Sequence, residues 1–253
     1  MSNRWLDDDA SSVSLKSADH RIGLGWLLAA AIATVLLWQL PVGGYILYPF
    51  TILATWFHEM AHGLTALLLG GQFQQLQIFP NGSGLAIHSG VRFLGPVGNA
   101  LVAFGGPMGP PIAGAMFILT SQRWRSARMA LLFLGALLVL SALIWVRSLF
   151  GLVVIPLMGL VVLAIALYAP RWVQGFAILF LGIQACISTF HQLDYLFTNQ
   201  VVIAGQPMLS DSGAIAQALL LPYWFWGGLM AVLSALLLWK SLTVVYGRRE
   251  TDA

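Results

Sequence analysis

Residues 45–69 form an apolar run long enough to cross a bilayer, and the run contains Thr55-Trp56-Phe57-His58-Glu59-Met60-Ala61-His62-Gly63. This H-E-x-x-H pattern is the feature that most limits what the chain can become. On a helix His58 and His62 stand one turn apart on one face, so both imidazoles can reach a single metal ion. Glu59 lies about 100° round from His58, placed to act on a water at that metal without binding the metal itself. The chain has five His, and Glu occurs only at Glu59 and Glu250, so a coincidental pair of core histidines beside a stray carboxylate is a poor explanation. An ionisable residue inside a membrane span costs several kcal/mol and by default marks a functional site.

The rest of the chain fits a membrane setting. Hydrophobic residues make up 59% of the 253 and charged residues only 8%, against about 25% charged in a soluble domain. This is the composition of an all-α polytopic membrane protein. Seven transmembrane helices are expected, or six if one apolar segment is misread. They lie at Ile22–Leu40, Tyr45–Leu69, Leu94–Thr120, 129–146, 150–168, Trp172–Phe197 and Ala214–Trp239. Residues 1–21 read as a polar tail, 22–240 as one transmembrane domain and 241–253 as a second polar tail. The single cysteine, Cys186, allows no intrachain disulfide. A net charge of +3, scattered along the chain, gives no reason to expect a nucleic-acid partner. Orientation is not fixed by charge: seven basic residues on one side face five on the other.

Local signals punctuate this plan. Gly70-Gly71 should close the motif helix. Phe73 to Phe79 partly alternates apolar and polar residues. Pro80-Asn81-Gly82-Ser83-Gly84 is turn chemistry, and Leu85 to His88 resumes the strand pattern. A small β-hairpin is expected at 71–93, directly after the motif helix, where an extended peptide could bind as an added strand. The third span is rich in Gly and Pro, from Gly95-Pro96 to Gly109-Pro110-Pro111. Close packing through small residues and the lining of a wet cavity are both open readings. In the sixth span Gln184, Ser188, His191 and Asp194 fall within an arc of roughly 120°, which points that face inward.

Catalytic zinc usually has three protein ligands. By elimination the third is Asp194, the one carboxylate besides Glu59 inside a predicted span; Asp211 falls in a loop and the other acids in the tails. His191, one turn earlier, could take its place, but better suits a position behind the ligands or on the substrate side. His88 reads as structural or solvated.

The motif helix, the glycine pair, the hairpin turn and the Gly-Pro segment together resemble the site-2 protease family of intramembrane zinc metalloproteases. The resemblance is densest over His58–Leu119 and resumes at the Asp-bearing helix. It implies zinc held by His58, His62 and Asp194, with Glu59 as general base. It also implies that Asn99, in Gly95-Pro96-Val97-Gly98-Asn99, contacts the substrate or its oxyanion. Two departures stand out: Asp194 is followed by Tyr195 where the family has Gly, and Asp194 comes four spans after the motif helix where the family has it two spans after. The expected activity is hydrolysis of peptide bonds in membrane-spanning or membrane-proximal proteins, bound as extended strands, with the lipid bilayer as surroundings and the cell membrane as location. A non-proteolytic metal-binding membrane protein, either a transporter or an inactive scaffold, is the alternative. Retention of Glu59 and the lack of an inverted repeat weigh against it.

Overall fold

The computed structural model describes residues 32–37, 39–203 and 205–247. The chain divides into two units, Met1–Leu47 and Tyr48–Ala253. In the first, residues 32–37 are helical and Gly43 opens the motif helix. The polar N-terminal tail, and most of the expected span Ile22–Leu40, lie outside the described residues.

Helix α1 (Gly43–Leu68) carries the motif. It ends as its glycines dictate: Gly70 adopts φ 76°, and the Gly71 N–H returns to the Ala66 carbonyl at 2.8 Å. A left-handed residue costs least at glycine, so the helix stops there. The hairpin follows where the alternation placed it, as β1 (Gln72–Ile78) antiparallel to β2 (Gly84–Ser89). Its turn is tied back to α1 by Tyr48 Oη donating to the Pro80 carbonyl at 2.6 Å and Thr55 Oγ1 to the Gly82 carbonyl at 2.7 Å. On its other side Leu76 pairs in parallel with Val146.

Helix α2 (Gly95–Thr120) runs unbroken through Pro107, Pro110 and Pro111. Its glycines explain why the segment is so rich in them. A Cβ at Gly105 would come within 2.4 Å of Thr65 Oγ1, and one at Gly109 within 2.5 Å of Ala61 Cβ. The small-residue reading therefore holds on the face toward α1: the two backbones approach too closely for side chains. Helices α3 (Trp124–Ile144), α4 (Leu149–Tyr168) and α5 (Arg171–His191) follow. The core gathers Trp56, Leu76, Leu131, Leu134, Leu138 and Ile178, all fully buried, and Trp56 Nε1 donates to Ser141 Oγ at 3.0 Å. The outward residues of α3 and α4, such as Phe133, Leu143, Val153 and Leu160, are apolar and exposed, as a lipid-facing surface requires.

The C-terminal part departs from the expected spans. Helix α5 stops at His191, and Gln192 takes φ −104° and ψ 24°, so the predicted span to Phe197 is interrupted. A short helix α6 (Leu193–Leu196) leads to a second hairpin, β3 (Gln200–Ile203) with β4 (Gln206–Leu209). The expected span Ala214–Trp239 is likewise two helices, α7 (Asp211–Ala218) and α8 (Tyr223–Gly247), parted at Pro222. Pro favours a helix start and disfavours the helical state in the residue before it.

Among the described residues five helices are long and apolar enough to cross a membrane: Gly95–Thr120, Trp124–Ile144, Leu149–Tyr168, Arg171–His191 and Tyr223–Val245. The count of seven is not confirmed among the described residues. The motif helix, 26 residues long, falls outside this set.

Candidate metal centre

His58 and His62 project from one face of α1 and are both buried. Their Nε2 atoms approach to 3.1 Å. The carboxylate that meets them is Asp211, with Oδ2 2.9 Å from His58 Nε2 and Oδ1 3.1 Å from His62 Nε2. These three side chains offer ligand atoms within 4.8 Å of one another, and all are buried.

Asp211 is placed by its own local sequence. Ser210 caps α7, its Oγ accepting from the Gly213 N–H at 3.0 Å, and also bonds the Thr198 carbonyl. Asp211 is then the first residue of the helix, where a negative charge is favoured. Ile215 of α7 packs with Ala100, Ala103, Met108, Leu196 and Met230, fixing the helix against α2 and α8. The Tyr195 hydroxyl donates to Asp211 Oδ2 at 2.9 Å, and its ring meets His58 edge-on at 5.9 Å. Burial disfavours the charged carboxylate, yet the facing imidazoles outweigh it and hold Asp211 well below the usual carboxylate range.

The donor set suits zinc. Four ligands at about 2.0–2.1 Å on a tetrahedron stand roughly 3.3 Å apart, close to the separations found here. His62 Nδ1 donates to the Val102 carbonyl at 2.7 Å, which leaves the Nε2 lone pair directed at the other donors. Such a carbonyl behind a ligating imidazole sets its tautomer and orientation. The space beside His62 exists because α2 has glycine there: a Cβ at Gly106 would lie 2.0 Å from His62 Nε2.

Glu59 is buried beside the pair without joining it. Ala86 of β2 lies beside its carboxylate. Gly84 covers it closely, since a Cβ there would reach 2.6 Å from Glu59 Cγ. Glu59 and His58 open onto a cleft of about 400 Å³, lined also by Thr55, Gly82–Gly84, Gln192, Tyr195 and Val201–Ile203.

The assignment of Asp194 as third ligand is corrected by this geometry. Because α5 ends at His191, the helical phase that put Asp194 in line with Gln184 and Ser188 does not extend to it. Asp194 is exposed on α6, while its neighbours Tyr195 and Leu196 turn inward. His191 is exposed at the end of α5 and is not among the clustered donors, and Asn99 is exposed near the start of α2. The inward polar face survives only higher on α5, where Gln184 is buried and Ser188 half-buried. His88 is half-buried in β2, and burial holds its imidazole below the ordinary value.

Asp211 lies just outside the expected span Ala214–Trp239, so a ligand expected within a span does not point to it. A cue did exist, since Ser210-Asp211-Ser212-Gly213 before an apolar stretch is a helix-start signal. Gly213 is also required, because a Cβ there would meet the Asn199 carbonyl oxygen at 2.4 Å. No curated protein and no solved structure matches the chain. The family model for Peptidase M50B-like proteins matches residues 27–241, most of the chain, and with its buried H-E-x-x-H helix this protein belongs to that family, the site-2 proteases.

Proposed function

We propose that this protein is an intramembrane zinc metalloprotease that hydrolyses peptide bonds in membrane-spanning or membrane-proximal segments of other proteins. Membership of the M50B-like family supports a membrane metallopeptidase. The observation that carries the finer reading is the cluster of His58, His62 and Asp211 with Glu59 alongside, His58 and Glu59 lining an open cleft.

His58, His62 and Asp211 would hold the ion, two neutral nitrogens and one carboxylate leaving it a net positive charge. Zinc there supplies Lewis acidity, making water a nucleophile at neutral pH and polarising the scissile carbonyl. Glu59, kept out of the donor set, takes the proton from the attacking water and delivers it to the leaving amine. Gly84, packed against its stem, leaves that carboxylate just enough room. Tyr195 holds Asp211 through Oδ2 and fixes which way the carboxylate turns. The cleft suits an unwound, extended segment, since peptide hydrolysis needs a carbonyl that is not sequestered in a helix.

Purified protein in phospholipid vesicles, given a tagged single-span reporter, should cleave it. Glu59→Gln should retain about one zinc per chain and lose cleavage, because a general base is not a ligand. Cleavage by Glu59→Gln within a few-fold of wild type would defeat the mechanism. A wild-type protein that binds zinc but cleaves no reporter would favour a metal-binding role without proteolysis.

A further inference from the structure

Two helix N-termini meet side by side, and both carry positive charge where negative charge is favoured. Helix α3 starts at Trp124 and α5 at Arg171, and the Arg171 guanidinium lies 4.5 Å over the Trp124 ring. The unpaired N–H groups of a first helical turn favour a capping oxygen, a carboxylate or a bound anion. Neither helix has a capping side chain, and neither has an acidic residue in its first turn. Arg123 occupies the cap position of α3 instead, with Arg125 just inside. Arg125 stands 5.8 Å from the Trp124 ring, and Arg128 lies one turn on from Trp124 on the same face. Arg125, Arg128 and Arg171 thus gather about one indole.

Their charge is not answered among the described residues. The described carboxylates are Glu59, Asp194 and Asp211, none of them on α3 or α5, and the ion pairs are those of Asp211 with His58 and His62. Arg128 Nε is buried without a hydrogen-bond partner, and a buried donor left without an acceptor is the costly case. Arg147, at the opposite end of α3, shows the contrast. Its two Nη groups donate to the Val146 and Ile144 carbonyls at 2.7 and 2.6 Å, beside a helix C-terminus where a cation belongs.

The surroundings select the partner. Met129 and Phe133 continue along α3, and Trp172 and Phe176 along α5, each pair four residues apart on one face and all exposed. These apolar faces suit lipid chains, and tryptophans at the end of such a face mark the level of the headgroups. We infer that the N-terminal ends of α3 and α5 form a binding site for the phosphate of an anionic phospholipid of the surrounding bilayer, gripped by Arg128 and Arg171. Arginine's planar fork matches a phosphate in two-bond geometry, and the acyl chains would lie over Met129, Phe133, Trp172 and Phe176. A zwitterionic headgroup brings its own cation and answers the charge less well, and a free phosphate has no use for the apolar faces. Such a site would serve the protein whether or not it is a protease.

Native mass spectrometry of the full-length protein in detergent tests this, with phosphatidylglycerol, phosphatidylcholine of the same acyl chains, and inorganic phosphate as probes. The wild type should hold phosphatidylglycerol at least about tenfold more tightly than phosphatidylcholine, as charge-assisted hydrogen bonds predict. Arg128→Gln combined with Arg171→Gln should abolish that preference. Arg92→Gln, at an exposed arginine before the start of α2, should leave it unchanged. Arg128→Lys with Arg171→Lys keeps the charge without the planar fork and should fall between. Inorganic phosphate at millimolar concentration should not displace the lipid. A second measurement needs no arginine variant to fold. In vesicles, phosphatidylglycerol brominated in its acyl chains should quench the wild-type tryptophan fluorescence more than brominated phosphatidylcholine does, and Trp124→Phe with Trp172→Phe should remove the excess. Equal retention of the two lipids by the wild type, a loss in Arg92→Gln as large as in the double arginine variant, displacement by phosphate, or equal quenching by the two lipids would each overturn the site.

Discussion

Gly106→Ala is a one-methyl test of the metal centre. A Cβ at this position would lie 2.0 Å from His62 Nε2, about 1.4 Å inside ordinary contact at 3.4 Å. The imidazole cannot retreat, because its Nδ1 is bonded to the Val102 carbonyl and the ring is buried. Nor can α2 back away cheaply, with Gly105 and Gly109 pressed against α1 on either side. The methyl group therefore takes the place where the Nε2 lone pair must point. A zinc–nitrogen bond of about 2.0–2.1 Å does not survive a displacement of more than an ångström, so His62 is lost as a ligand. Changes behind the ligands already cost about 10–100-fold in metal affinity, and loss of a ligand should exceed a hundredfold, or about 2.7 kcal/mol. Local helix propensity moves the other way, Ala being better than Gly by about 0.5–1 kcal/mol, so a simple loss of helix does not explain the result. Zinc per chain after gel filtration, and affinity by chelator competition, read the effect directly. Gly175→Ala on α5 is the matched control, since nothing lies within 4 Å of a Cβ there. If Gly106→Ala binds zinc as tightly as wild type, His62 Nε2 does not face the metal and the centre has been misread.

Two further outcomes follow from the same geometry. Asp211→Asn should lose zinc by at least about tenfold and abolish cleavage, whereas Asp194→Asn should retain both; the reverse pattern in a zinc titration would restore Asp194 as the ligand. Tyr195→Phe removes the bond to Asp211 Oδ2 and should weaken zinc binding by about tenfold with the thermal unfolding midpoint little changed, so an unaltered affinity would show that the tyrosine does not position the carboxylate.

What the sequence determined by itself was everything that rests on short spacing. The four-residue interval of His58 and His62 defines a shared helix face wherever the helix sits. Gly70 marks the end of that helix because only glycine is at ease with φ 76°. The alternation from Phe73 to Phe79 and the turn at Pro80–Gly84 place a hairpin for reasons that also act within a few residues. The third ligand was different in kind. Its selection assumed that α5 keeps its helical phase through Asp194, and one residue, Gln192 at ψ 24°, breaks that phase and sends Asp194 outward. Asp211 reaches the histidines because Ser210 caps α7, Ile215 docks it on α2, and Tyr195 steers its oxygen. Those are contacts between segments far apart in the chain, and no local pattern encodes the sum of them. Tertiary packing also decided that the Gly-Pro segment is a close-packed helix, since the need for glycine at Gly106 comes from His62, 44 positions away. Periodicity fixes which face a residue occupies; only the packed structure fixes what that face meets.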